Sequence, residues 1–184
     1  MKEEEDFVVL VDDEDREIGS ARKLAAHQLG QRHRAVSVCL LDPEGRMLLQ
    51  RRALGKYHSG GLWTNACCTH PRPGESAQAA AERRLLEELG VACRLSFMLR
   101  THYRAPVGKG LVEDEIVHLF QGDYEGGVEP DPDEVEDVVW RSREFLLADI
   151  AAKPEAYTYW FNRYVRQFGD MLFDRPGRRT RATG

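Results

Sequence analysis

The sequence predicts an α+β domain, layered helix, sheet, helix, on three observations. Runs of strand length with alternating apolar residues dominate its middle. One strongly helical stretch, Ser76–Leu89, interrupts them, and two more helical stretches finish the chain. No internal repeat or linker divides the 184 residues. One domain spanning 1–184 is therefore expected, with frayed tails at about 1–5 and 175–184.

Taken in order, DFVVLVD (Asp6 to Asp12) reads as a strand with a return around Ile18, and RKLAAH as a short helical turn. HRAVSVCLLD (His33 to Asp42) is a strand, DPEG a turn with Pro at its second position, and RMLLQRR an antiparallel return that completes a hairpin. Alternation along that return lets only one of Arg51 and Arg52 face a given side. After the loop Ala53–Gly61, strand-compatible residues surround Trp63 and Thr64, and THPRPGES then breaks regular structure, leaving Cys67, Cys68 and His70 in a loop. Ala77, Ala80, Ala81, Leu85 and Leu89 recur at helical spacing, and Gly90 stops the helix.

Beyond it, Val91, Cys93, Leu95, Phe97 and Leu99 alternate onto one face of a long half-buried strand. APVGKG reads as a turn, LVEDEIVHLFQGDY as the next strand, EGGVEPDPDEVED as an acidic loop and VVWRS as a closing strand. Ser142 caps a helix through Lys153. Pro154 opens the last helix, which carries Tyr157, Trp160, Phe161, Tyr164, Val165 and Phe168.

A net charge of −5 argues against broad affinity for nucleic acid. No apolar run is long enough to span a membrane, and the N-terminus lacks a secretory signal. The four cysteines do not resemble a disulfide framework, so a reducing cytoplasm is the expected setting. Cys67 and Cys68 are neighbours, poorly placed to bridge to each other.

Chemistry concentrates around Gly61–Val91. Arg84 and Glu88 are four apart and share a helix face. That describes a solvated face with ordinary ion pairs as readily as acids directed at a metal-bound anion. His27, His33 and His70 each stand where an element begins or ends. Glu113 and Glu115 are two apart on a strand, so both carboxylates point to one side, roughly 7 Å apart along it. Singly, each has an ordinary structural reading. Together they offer nitrogen and oxygen donors suited to a divalent ion. CCTH lacks the second Cys/His pair of a zinc finger.

RRLLEELGV resembles the end of the Nudix box, REUxEExGU with U apolar, except that Arg84 replaces its usual Glu; Thr69 stands where the box normally opens with Gly. The resemblance extends further. KLAAH at 23–27, HRAVSV at 33–38, RRALGK at 51–56, GLWTNACCTHPRPGES at 61–76, HYRAPVGKGLVEDEIV at 102–117 and Tyr159–Trp160–Phe161 are similar, in order over about residues 6–170, to type 1 isopentenyl diphosphate isomerases.

That resemblance implies a single Nudix-like catalytic domain with a mixed sheet flanked by helices. It implies a 1,3-allylic proton shift between isopentenyl and dimethylallyl diphosphate, with Cys68 and Glu115 as the two proton carriers. Tyr103 assists near the carboxylate, and Trp160 faces the cationic state. His27, His33, His70, Glu113 and Glu115 would form a metal shell for Mn²⁺, Mg²⁺ or Zn²⁺. Glu88 would hold a Mg²⁺ that accompanies the diphosphate, and Lys23, Arg52, Lys56 and Arg84 would contact the anion. Only the resemblance selects Arg52 over Arg51.

No flavin, nucleic acid or membrane is expected to take part, and the chain is expected to be a monomer or weak homodimer. Cys67 reads as a small buried thiol, and His58, His102 and His118 as structural. The competing readings are a Nudix hydrolase of a nucleoside diphosphate derivative and a Nudix-like binding domain without catalysis. Arg84 and Thr69 in the box, with the set Cys68, Glu115 and Trp160, weigh against the hydrolase, and the presence of all the main catalytic matches weighs against the binding domain.

Overall fold

The computed structural model describes residues 7–174, so the tails expected at about 1–5 and 175–184 lie outside the described residues. Nine strands and four helices follow in the order β1 (Phe7–Val11), β2 (Glu17–Arg22), α1 (Lys23–Leu29), β3 (Arg32–Leu41), β4 (Met47–Arg52), β5 (Trp63–Asn65), β6 (Cys67–Thr69), α2 (Ala77–Leu89), β7 (Leu95–Gly108), β8 (Leu111–Asp123), β9 (Val135–Arg141), α3 (Arg143–Ala152) and α4 (Tyr159–Phe173). Among the described residues no helix is long and apolar enough to cross a membrane.

The α+β layering is as the sequence predicts, and β3 is its axis. β3 runs parallel to β8 from Arg32↔Asp114 to Leu41↔Asp123. Its other edge takes β6, antiparallel, at Val36↔Thr69 to Val38↔Cys67. Residues of β3 alternate between two cores, because successive side chains of a strand point to opposite faces. Val36, Val38 and Leu40 pack with Ala80, Ala81, Leu85 and Leu89 of α2. Ala35, Cys39 and Leu41 pack with Leu146 and Ile150 of α3 and with Phe161 and Tyr164 of α4.

Helix signals act where the sequence places them. Ser76 Oγ accepts from the Ala79 N–H and Gly90 caps α2 at φ 65°. Ser142 likewise caps α3 through the Phe145 N–H.

Five details differ from the sequence expectation. The β3–β4 hairpin pairs only at Leu41↔Met47; β4 then leaves to pair with β5 and β9, so the return strand opens a second half of the sheet. Cys67 and Cys68 lie in a strand rather than a loop, because Ala66 lets the chain pass from β4 to β3 as its pairing partner. The expected turn from Ala105 is still strand to Gly108; only Lys109 and Gly110, both at positive φ, turn the chain.

A register shift between Phe97 and Leu99 leaves Phe97 opposite Phe120 and Leu99 opposite Leu119. The extra residue reverses the facing beyond it, so Leu99 joins the α4-side core, while Phe97 stays on the face of Phe120 and is 55% exposed. Lastly, Pro154–Ala156 form a separate 3₁₀ turn. The Thr158 N–H bonds Trp63 O, which holds the chain extended there and delays α4 until Tyr159.

The difference in burial between Leu119 and Phe97 is measurable. Leu119→Ala is expected to lower unfolding free energy by about 2–5 kcal/mol, and Phe97→Ala by about 1 kcal/mol or less. Urea denaturation of both variants tests this, and equal losses would contradict the facing described here.

Candidate active site

Ala35 and Ser37 of β3, Glu113 and Glu115 of β8, and Cys68 of β6 all line one cavity beneath α4. Lys23, Arg52, His58, Thr69, His70, Tyr103 and Trp160 complete much of its wall.

The parallel register sets His33 directly opposite Glu115. Glu115 Oε1 accepts from His70 Nε2 at 2.9 Å, and lies 3.3 Å from His33 Nε2 and 3.9 Å from His27 Nε2. His27 Nδ1 is 2.8 Å from Lys23 O, and His33 Nδ1 is 2.8 Å from Gln31 O. A carbonyl oxygen only accepts, so both Nδ1 atoms carry hydrogen and, in the neutral rings, both Nε2 atoms are lone pairs. Both Nε2 atoms are buried without a hydrogen-bond partner.

Lone pairs facing a carboxylate require a positive charge between them, either a proton or a metal ion. Ligand atoms of His27, His33, His70 and Glu115 lie within 4.8 Å of one another, as do those of His27, His58 and Glu113. Three imidazole nitrogens and a carboxylate oxygen suit a divalent first-row ion, so these residues fit the metal that a His/Glu centre implies.

The carboxylates are driven apart. Burial pushes Glu115 up, but the contacts of His27, His33 and His70 outweigh it and hold the group well below the usual carboxylate range. Burial and the neighbouring Glu115 charge push Glu113 well above that range. Tyr103 Oη joins the pair, 2.7 Å from Glu113 Oε2 and 2.8 Å from Glu115 Oε2. Burial and both carboxylates keep its phenol protonated.

Across β3 from this cluster sits the thiol. Cys68 Sγ donates to Asn65 Oδ1 at 3.3 Å and lies 3.3 Å from Ser37 Oγ. Burial raises it to about 11, against the opposing effects of Ser37, Arg52 and Asn65, so the thiol holds its proton near neutrality. Trp160 is 3% exposed and anchored by its Nε1–H on Thr64 Oγ1 at 2.9 Å. Cys67 points the other way into the α2-side core, as strand alternation requires.

Arg52, rather than Arg51, enters the cavity, with its guanidinium 5.5 Å from the Trp160 ring centroid. Alternation from Leu49 would have sent Arg51 there. The register shift between Arg51 and Arg52 against β9 re-aims the side chain, and Arg51 instead pairs with Glu136 and stacks on Trp63.

Lys56, Arg84 and Glu88 lie outside the cavity wall. Arg84 Nη2 is 2.7 Å from Glu88 Oε1 and 3.3 Å from Glu134 Oε2. Lys56 also pairs with Glu134, and Gln50 donates to Glu88 Oε2 at 3.0 Å. Arg84 lines an adjoining groove that shares Lys23, Thr69 and His70 with the cavity.

The sequence missed His58. Read there as structural, it lines the cavity 3.4 Å from Glu113 Oε1. Burial, Arg52 and Lys23 lower it to about 2, so its ring stays neutral. A histidine in a Gly/Ser-rich loop carries no periodic signal that would have marked it. His102 and His118 bond Asp114 and Asp15 away from the cavity.

Sheet, helix placement and box together define a class. The NUDIX domain model matches residues 31–161, and a Deinococcus radiodurans protein of known structure superposes with a TM-score of 0.73, covering 88% of this chain and 98% of its own at 21% identity. The chain belongs to the NUDIX domain family and, within it, to the isopentenyl-diphosphate Delta-isomerases. Its relatives include isopentenyl-diphosphate Delta-isomerase 2 of Aromatoleum aromaticum, 49% identical over 85% of this chain and 82% of that one. The isopentenyl-diphosphate Delta-isomerase of Burkholderia multivorans is 46% identical over 90% and 94%.

His70 carries a pH signature. His70 is lowered from 6.5 to about 3, mainly by burial, so the unfolded chain binds its proton first. Its contribution to stability is complete above about pH 6.5 and is lost as pH falls toward 3. Metal-free protein should therefore lose more stability between pH 7 and pH 5 than a His70→Gln variant, in urea titrations at each pH. Parallel losses would contradict it.

Proposed function

We propose that the cavity interconverts isopentenyl and dimethylallyl diphosphate by moving one proton onto the alkene and another off it. The observation that carries this reading is a thiol and a carboxylate lining one cavity, on the two strands that flank β3, with an indole in its wall. Protonating the terminal CH₂ of the isopentenyl group breaks the double bond and leaves a tertiary cation. Removing a proton from the carbon on the diphosphate side forms the new double bond. Cys68 starts with a proton and Glu115 without one, so the pair supplies one donor and one acceptor.

A tertiary cation is quenched by water, and the burial of Glu115, Tyr103 and Trp160 serves to exclude it. The indole face of Trp160 stabilises positive charge by about 0.5–2 kcal/mol without acting as a nucleophile. Tyr103 stays protonated between the carboxylates and can pass a hydrogen bond to whichever carries more charge.

A divalent ion (Mn²⁺, Mg²⁺ or Zn²⁺) held by His27, His33, His70, Glu113 and Glu115 would supply the fixed positive charge that keeps these carboxylates oriented, while Glu88 is assigned to a Mg²⁺ accompanying the diphosphate. Lys23 and Arg52 take the diphosphate through charge-assisted bonds. Arg52 also touches the indole, linking the phosphate end of the site to the alkene end. Arg84 and Lys56 supply further positive charge, now balanced by Glu88 and Glu134. A cation at Arg84, where the hydrolytic box has a Glu, favours holding a diphosphate over cleaving it.

Proton NMR of the purified protein with isopentenyl diphosphate and Mg²⁺ in D₂O tests the reading. Deuterated dimethylallyl product without free phosphate is expected, with turnover lowered at least 10²-fold by Cys68→Ala and by Glu115→Gln. Phosphate released from nucleoside diphosphate derivatives without isomerisation would instead establish a hydrolase. Arg84→Glu should raise KM for the diphosphate about tenfold or more, the loss of one charge-assisted contact. An unchanged KM would remove Arg84 from substrate binding.

A further inference from the structure

His58 lines the cavity beside Glu113, outside the set His27, His33, His70 and Glu115, and with His27 and Glu113 forms a second group of close donor atoms. It is delivered there by an unusual stretch of backbone. Ser59 sits at φ +52°, a left-handed conformation that is strained for a non-glycine residue. A Cβ on Gly60 would lie 2.7 Å from Leu54 O, and Gly61 is at φ +79°. Bonds from Gly61 N–H to Arg52 O, from Arg52 N–H to Leu62 O, and from Arg52 Nη2 to His58 O hold this loop against β4. Strain retained in a tightly bonded loop points to the side chain that the loop presents. That side chain is an imidazole 5% exposed.

Its two nitrogens meet complementary partners. Nε2 is 3.4 Å from Glu113 Oε1, and Nδ1 is 3.2 Å from Ser59 Oγ. As a metal ligand Glu113 is a carboxylate whose oxygens only accept, so in that state the arrangement places the hydrogen on Nε2 and lets Nδ1 accept from the serine hydroxyl. The ring meets Tyr57 and Trp160 nearly at right angles, at 4.3 and 6.0 Å between centroids, and these contacts leave it little freedom to turn.

We propose that His58 is a positioning residue for Glu113, its Nε2–H holding Oε1 as Tyr103 holds Oε2, so that the carboxylate presents fixed lone pairs to the histidine cluster. The inference rests on the reading of Glu113 as a metal ligand and is independent of the reaction catalysed. Donors to a ligating carboxylate fix its orientation, and their loss typically weakens metal binding 10–100-fold.

Mn²⁺ titration of metal-free protein, followed by electron paramagnetic resonance, provides the test. His58→Leu should weaken Mn²⁺ binding about 10–100-fold. In an isomerase assay at fixed Mn²⁺ it should lower kcat with little change in KM. His58→Gln, which keeps an N–H donor at the same reach, should restore most of both. Mn²⁺ affinity unchanged in His58→Leu would overturn the proposal.

Should His58→Leu not fold, the long-range ¹H–¹⁵N spectrum of the unaltered protein decides. An Nε2–H tautomer that shifts in Glu113→Gln supports the role, and an Nδ1–H tautomer overturns it. Loss of the Nε2–H signal on adding Zn²⁺ would make His58 a ligand and overturn it as well. His58-dependent Mn²⁺ binding without isomerisation would sink the proposed reaction and leave the positioning role standing.

Discussion

The parallel pairing of His33 with Glu115 is the contact on which the rest of the site depends. It brings a carboxylate, 5% exposed, to a fully buried imidazole, in surroundings where an isolated charge costs several kcal/mol. His27, His70 and the second carboxylate, Glu113, then collect on the same face. Such a cluster persists only if positive charge sits within it. The orphaned Nε2 lone pairs of His27 and His33 and the divided behaviour of the two carboxylates express one requirement, that of a cation at the centre of the group.

Sheet geometry then divides the labour. Along β3 one face is apolar and seats α2, while the other passes from His33 through Ala35 and Ser37 toward the core beneath α4. Cys67 and Cys68 show the same division between adjacent residues: one thiol is inert packing, and the other enters the cavity. The cap of α4 closes the layer, since Thr64 accepts from Trp160 and from Thr158. The indole is thereby tied to the strand next to the one that carries Cys68.

The charged network of Arg84, Glu88, Lys56 and Glu134 is arranged differently. Each cation there already has an acid partner, and Gln50 holds Glu88 from below. A diphosphate arriving in the adjoining groove would compete for cations that are paired rather than meet unpaired ones. Pairing lowers the self-energy of buried charge in the free protein and keeps the guanidinium and ammonium groups near where an anion would need them.

Much was legible in the residues themselves. The helix Ala77–Leu89 with Ser76 and Gly90 at its ends, the shared face of Glu113 and Glu115, and the inert placement of Cys67 all follow from periodicity and capping, which are local. The box RRLLEELGV and the run WTNACCTHP carried the family resemblance because they are short and contiguous. Roles for Cys68, Glu115 and Trp160 came from that resemblance, since no spacing rule relates residues on three separate elements.

What only the tertiary structure decided was which side chains meet. Arg52 reaches the cavity and Leu99 joins the α4-side core because single-residue bulges reverse the facing of a strand, and a bulge depends on the partner strand. Lys56 and Glu88 became members of one ion network through Glu134, a residue from a distant loop. His58 enters the site through a strained turn that has no period to read. The sequence by itself determined the elements and the kinds of chemistry available, because those are set by local sterics and residue type. Register, bulges and loop strain determined which of those groups share a cavity, because they arise only when distant segments pair.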